Sequence, residues 1–149
     1  AAANSITEAA IDSYETDIFY MGSFYDTDFT DAEILELYNW SKKSGNVTII
    51  AADSDMPNEK VYAKWGYTVT RVGYVDGPNT QNPEGVGTQA QQAIFAGPFG
   101  GVTSFYQAGG AKGYFSEMPV GTQVLAVNQD GLPTIVLDSL NLRYRLFGR

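Results

Sequence analysis

The sequence predicts an α/β fold, in which an open and mostly parallel sheet carries flanking helices and the C-terminal half is rich in β-strands. Two short apolar runs, at residues 18–21 and 47–52, lie on either side of a helical pattern at 31–44. After residue 101 the chain contains several short strand-like runs and few helical patterns. These runs are 102–106, 112–115, 123–128 and 133–137. With 149 residues and no recognisable linker, we expect a single domain spanning 1–149.

The first half has the local signals of a strand–helix–strand unit. Thr30 and Glu33 are spaced as a capping box, which is typical of a helix start. Gly45 follows the helical pattern, where a glycine suits the left-handed conformation that ends many helices. The unit therefore predicts two buried strands that run parallel to each other.

The remaining elements are predicted from shorter patterns. Helical spacing favours a helix within 4–16, and a short helix at 58–65 is stopped by Gly66. Residues 76–92 are rich in Gly, Pro, Asn, Gln and Thr, which predicts a long surface loop. Residues 129–131 give a hairpin signal, and the alternation within 141–147 predicts a half-exposed strand.

Two residue types that carry much enzyme chemistry are missing. The chain has no Cys and no His. Disulfides, thiolate nucleophiles and zinc–sulfur sites are therefore excluded, and so are Ser–His and Cys–His catalytic pairs. The sequence favours a non-catalytic role for this reason.

The charge balance narrows the range of partners. Seventeen acidic and nine basic residues give a formal net charge of −8. Such a surface repels a phosphate backbone, so we expect no nucleic-acid partner. Acidic residues can bind Ca²⁺ through oxygen ligands, which makes this ion the candidate cofactor. No apolar run approaches the length needed to span a bilayer, so we expect no membrane span.

Six segments of the chain, taken in order, carry a resemblance to a known family. They are residues 17–24, 31–44, 44–50, 94–102, 113–115 and 121–137. In these segments the chain resembles the class I glutamine amidotransferase-like domain, a flavodoxin-like domain of secreted and surface-anchored bacterial proteins. The resemblance implies an α/β domain that is secreted or displayed on a bacterial surface.

The same resemblance implies a scaffold that has lost its enzyme activity. Active members place a Cys on a turn after a central strand and use a His elsewhere, and this chain has neither residue. Members of the family also begin with a further β–α unit. We therefore expect one of two situations. Either the chain is a fragment of a longer polypeptide, truncated at its N-terminal β–α unit, or the open position is filled by the C-terminal tail or by a strand from another subunit.

Two acidic segments follow the two predicted parallel strands and form the candidate metal site. Asp26 and Asp28 follow the first strand, and Asp53, Asp55 and Glu59 follow the second. Because parallel strands end at the same edge of a sheet, these carboxylates are candidate Ca²⁺ ligands. The alternative is that they cap helices and lie in solvent.

Four aromatic residues near the middle of the chain are candidates for stacking on sugar rings. They are Tyr62, Trp65, Tyr67 and Tyr74. The alternative is that they belong to the core and its rim.

Three functional hypotheses follow. The first is a non-catalytic extracellular module for binding, adhesion or assembly, with protein or carbohydrate partners. The second is a subunit of an extracellular filament or surface layer, joined by strand complementation. The third is a carboxylate- or metal-dependent hydrolase built around Asp28, Asp53 and Asp55.

Overall fold

The first half of the chain forms the predicted strand–helix–strand unit. In the computed structural model, strands β1 (Ile18–Gly22) and β2 (Val47–Ala51) pair in parallel and are connected through helix α2 (Asp31–Ser41). The pairing sets Gly22 beside Ala51, so the two strands end at the same edge. The structure describes residues 5–22, 26–51, 59–75, 79–83, 101–107 and 110–138.

The start of α2 is fixed by the capping box that the sequence predicts. The Thr30 hydroxyl accepts a hydrogen bond from the Glu33 amide at 3.2 Å, and the Thr30 amide donates to the Glu33 carboxylate at 2.9 Å. These two bonds satisfy donors that a helix N-terminus otherwise leaves open. Beyond the helix, Gly45 has a φ of +91°, which lets the chain turn towards β2.

Helix α1 (Glu8–Asp12) is held against α2 by polar contacts at both ends. At its start, the amide of Glu8 donates to the Glu36 carboxylate at 2.9 Å. At its end, Asp12 accepts hydrogen bonds from Trp40 Nε1 at 2.9 Å and from Lys43 Nζ at 2.8 Å. A buried cluster lies between these helices, the later helix α3 (Glu59–Lys64) and one face of β1–β2. It consists of Ile11, Met21, Ile34, Leu37, Trp40 and Val61.

The prediction of an open, mostly parallel sheet is wrong. The parallel pair has only two strands, and the other described strands are antiparallel. These other strands are β3 (Thr68–Val75), β4 (Asn79–Pro83), β5 (Phe105–Gln107), β6 (Gly110–Glu117), β7 (Gln123–Val127) and β8 (Pro133–Leu137). Two of them form the pair β3–β6, and four form a sheet in the order β5-β4-β7-β8.

The lengths of the connections explain this difference. Adjacent parallel strands need a crossover of about a dozen residues or more, usually a helix. Only residues 128–132 separate the paired strands β7 and β8. This connection is too short for a crossover and favours antiparallel pairing.

The prediction of a long surface loop over residues 76–92 is also wrong in part, because residues 79–83 form the strand β4. This strand pairs with β5 on one side and β7 on the other. The hairpin signal at 129–131 is confirmed, because β7 and β8 are antiparallel neighbours. The carboxamide oxygen of Asn128 accepts hydrogen bonds from the backbone amides of Asp130 and Leu132, at 2.9 and 3.0 Å. These two bonds stabilise the turn of the hairpin.

The described part of the chain leaves both outer edges of the β1–β2 pair without a strand neighbour. The hypothesis of strand complementation therefore stays a prediction, and the tail at 141–147 lies outside the described residues. Among the helices that the structure describes, none has the length and apolar character required to cross a membrane.

Candidate functional site

The predicted calcium ligands are only partly within the described structure. Asp53 and Asp55 lie outside the described residues, as does the side chain of Asp26. Of the five, Asp28 is at the end of a short 3-10 helix (Asp26–Asp28), and Glu59 is the first residue of α3.

These two elements are neighbours, and basic side chains already lie beside them. The 3-10 helix contacts α3. Lys60 Nζ donates to the carbonyl of Phe29, which follows the 3-10 helix, at 2.9 Å and pairs with Asp31 of α2 at 3.1 Å. These contacts connect α3 to the segment between the 3-10 helix and α2. Glu59 pairs with Arg71 at 2.7 Å. A cation at Glu59 would therefore compete with a guanidinium group.

The described acidic side chains do not by themselves form a metal site. Within the described ranges, no three or more Asp or Glu residues are grouped so that they could hold a metal ion. The calcium site, which also needs Asp53 and Asp55, stays a prediction.

Two of the four predicted sugar-stacking aromatics are core residues. Tyr62 and Tyr67 are buried, and each makes an edge-to-face contact with Phe115 at about 5.5 Å between ring centroids. Burial raises the pKa of Tyr67 to about 12. Trp65 is half-buried against Tyr38, and the side chain of Tyr74 lies outside what the structure describes. Tyr62 and Tyr67 therefore belong to the core, which was the alternative to sugar stacking.

One face of the β1–β2 pair is apolar and open to solvent. Side chains alternate along a strand, so Phe19 and Met21 point towards the helices and pack with the core. On the opposite face, Ile18 is 52% exposed, Tyr20 is 65% exposed and Ile49 is 45% exposed. Tyr20 and Ile49 are direct neighbours in the register. We call the surface formed by Ile18, Tyr20 and Ile49 the open face.

The ring of Tyr20 lies along β1 and over Gly22. A Cβ atom placed on Gly22 would be 2.7 Å from the Tyr20 hydroxyl oxygen and 2.8 Å from Cε1. Only a residue without a side chain permits this approach. The tyrosine hydroxyl therefore lies at the carboxyl end of the strand, while most of the ring remains in solvent.

Sequence reasoning missed the open face because it treated β1 and β2 as strands buried on both sides. An unbroken apolar run is typical of such strands. Ile18 and Tyr20 lie on one face of the strand, and Phe19 and Met21 lie on the other. Because both pairs are apolar, the sequence does not indicate which face is exposed. Gly22, two residues after Tyr20, was the available signal, because a glycine in a strand often marks a close approach.

Comparisons with known proteins identify no relative of this chain. No family model matches the chain, and neither a curated protein nor a solved structure matches it with significant similarity. The resemblance to amidotransferase-like domains therefore stays a prediction, and the surfaces described above are interpreted from their own chemistry.

Proposed function

We propose that this chain is a non-catalytic binding module of an extracellular protein, and that the open face is its contact surface. The observation that carries the proposal is the exposure of Ile18, Tyr20 and Ile49 on one side of a parallel strand pair. Parallel strands are ordinarily covered on both faces. Burying such an apolar patch gains about 25 cal/mol for each Å² removed from water, and a bound ligand would supply that burial.

The chemistry of the chain supports a binding role over a catalytic one. No Cys or His is available as nucleophile or base. Of the predicted acidic residues, Glu59 is already paired with Arg71 at 2.7 Å. The open face itself contains aliphatic side chains and one phenol, which are groups that contact ligands and do not activate them.

The dimensions of the open face favour a small ligand. Two paired strands of five residues form a surface of about 16 Å by 10 Å. This is about 160 Å², well below the roughly 800 Å² that each partner contributes to a stable protein–protein interface. A ligand of one or two rings matches this area.

Isoleucine methyl NMR provides the test, because the chain carries its own controls. Ile18 and Ile49 report on the open face, Ile11 and Ile34 on the core, and Ile135 on an exposed position of β8. The probes are neutral methyl glycosides, indole and tetramethylammonium, each added separately.

We expect at least one probe class to shift the Ile18 and Ile49 signals while the signals of the controls Ile11, Ile34 and Ile135 stay unchanged. If no class shifts them, or if Ile135 responds equally, the open face is not a binding surface and the proposal fails.

The extracellular part of the proposal is supported by an acidic, cysteine-free composition. Immunodetection of the chain in the medium or on the cell surface of its source organism tests it. Confinement to the cytoplasm contradicts it.

A further inference from the structure

We propose that the open face binds a neutral pyranose sugar, whose C–H face stacks on the ring of Tyr20 while Gly22 keeps that ring lying along the strand. This inference rests on the proposed binding function and deepens it by naming the class of ligand.

The first argument is the orientation of the ring. Alternate residues of a strand are separated by about 6.6 Å, which is close to the reach of a tyrosine side chain from its own Cα. The contacts at Gly22 show that Tyr20 uses this reach along the strand, with its hydroxyl oxygen above the glycine. The end of the ring thus lies against Gly22, and 65% of the residue remains accessible to a ligand.

The second argument is the charge of the surface. Neither β1 nor β2 contains a Lys or Arg, so the open face offers no counter-charge for a phosphate or carboxylate. The net charge of −8 further disfavours an anionic ligand. A nucleotide or an acidic sugar is therefore a poor match, and a neutral ring is a good one.

The third argument is the mixture of groups that a pyranose would contact. The face of an aromatic ring carries partial negative charge and attracts the slightly positive C–H groups of a sugar. Ile49 lies beside Tyr20 and extends the apolar surface. The Tyr20 hydroxyl, at the carboxyl end of β1, can donate and accept hydrogen bonds with sugar hydroxyls.

The experiment is a titration with neutral methyl glycosides of glucose, galactose, mannose and N-acetylglucosamine, followed by the Ile18 and Ile49 methyl signals. We expect dissociation constants of about a millimolar, as suits one stacked ring. Tyr20→Leu should weaken binding at least tenfold, whereas Tyr20→Trp should retain it, because the larger ring preserves stacking. Gly22→Ala should also weaken binding, because the added methyl group displaces the Tyr20 ring.

Tyr14→Leu is the matched control, since Tyr14 is another exposed tyrosine but lies outside β1. It should bind the sugars as the wild type does. If Tyr14→Leu weakens binding as much as Tyr20→Leu, or if Tyr20→Leu binds normally, the assignment of Tyr20 is overturned.

The two proposals fail in different ways. If indole or tetramethylammonium shifts Ile18 and Ile49 but no glycoside does, the sugar inference is overturned and the binding function stands. If no probe of any class shifts them, both proposals fail. Circular dichroism of each variant verifies that a loss of binding does not come from a loss of folding.

Discussion

The hydroxyl oxygen of Tyr20 lies 2.7 Å from the position that a Cβ of Gly22 would occupy. The two residues are separated by one position in β1 and share the same face of the sheet. The absence of a side chain at Gly22 therefore permits this position of the tyrosine ring, and the chemistry of the open face depends on this pair.

Substitution of Gly22 by alanine should move the Tyr20 ring without unfolding the protein. The atoms that clash with the new methyl group belong to the end of an exposed side chain, which can rotate away. Alanine also loses less backbone entropy on folding than glycine, so we expect the free energy of unfolding to change by less than about 1 kcal/mol.

The ring-current shift of the Gly22 α protons reports on the wild-type arrangement, and Tyr20→Leu should abolish that shift. A large loss of stability in Gly22→Ala, measured by urea unfolding, would show that the ring cannot move and that the arrangement is misjudged.

Trp40 should be the more important of the two tryptophans for stability. It is fully buried, contacts Phe19 edge-to-face and donates from Nε1 to Asp12 at 2.9 Å. Trp40→Phe should lower the free energy of unfolding by about 2–3 kcal/mol through lost packing and a lost hydrogen bond. Trp65→Phe is the control: Trp65 is half-buried and its bond to Ser41 is long, at 3.3 Å. Equal costs in urea unfolding would contradict this ranking.

The hydroxyl of Thr48 should be a source of instability. Its oxygen is buried and has no hydrogen-bond partner among the described residues. Thr48→Val keeps the shape and removes the unsatisfied group, so thermal unfolding should show a gain of about 1 kcal/mol. Thr70→Val is the matched control, because the Thr70 hydroxyl bonds to Ser116 at 2.8 Å. A gain in the control but not in Thr48→Val would refute the interpretation.

Acid should weaken the contact between α1 and α2. A hydrogen bond from Lys43 lowers the pKa of Asp12 below its ordinary value. Bonds from the Thr30 amide and hydroxyl, and from the Ile6 amide, lower the pKa of Glu33. Because both values are lower in the folded state, the unfolded chain binds more protons in acid. Their contribution is therefore complete above the unfolded pKa values and is lost as the pH falls through the folded ones.

Urea unfolding between about pH 5 and pH 2 measures this loss. Glu33→Gln and Asp12→Asn should each make the free energy of unfolding less dependent on pH than in the wild type. Slopes identical to that of the wild type in both variants would exclude these two carboxylates as the cause.

The elements that were predicted best from the sequence are those that depend on signals between residues close together in the chain. The capping box at Thr30 and Glu33, and the apolar runs on either side, were enough to predict β1, α2 and β2. The pairing of β4 was missed because its residues, Asn79–Pro83, are polar and its partners β5 and β7 lie far along the chain. The mostly parallel sheet was expected from the strand–helix–strand unit and from the resemblance, although the short connection between β7 and β8 already opposed it.

For the candidate site as well, contacts between residues far apart in the chain could not be predicted from the sequence. The 3-10 helix that ends at Asp28 and the helix α3 that begins at Glu59 are neighbours. Asp53 and Asp55 lie outside the described residues, so the placement of both acidic segments at one edge stays a prediction. The pairing of Glu59 with Arg71 could not be read from sequence, because Arg71 belongs to the following strand. The open face of β1–β2 depends on which side the helices cover, and two apolar sets of side chains left that undecided.

The central claim is that Ile18, Tyr20 and Ile49 form a surface open to solvent, and relaxation of isoleucine methyl signals by a dissolved paramagnetic probe tests it directly. We expect strong line broadening at Ile18 and Ile49, comparable with that at Ile135, and little at the buried Ile11 and Ile34. If Ile18 and Ile49 are instead as protected as Ile11, another part of the protein covers this face, and the account of it as a binding surface is wrong.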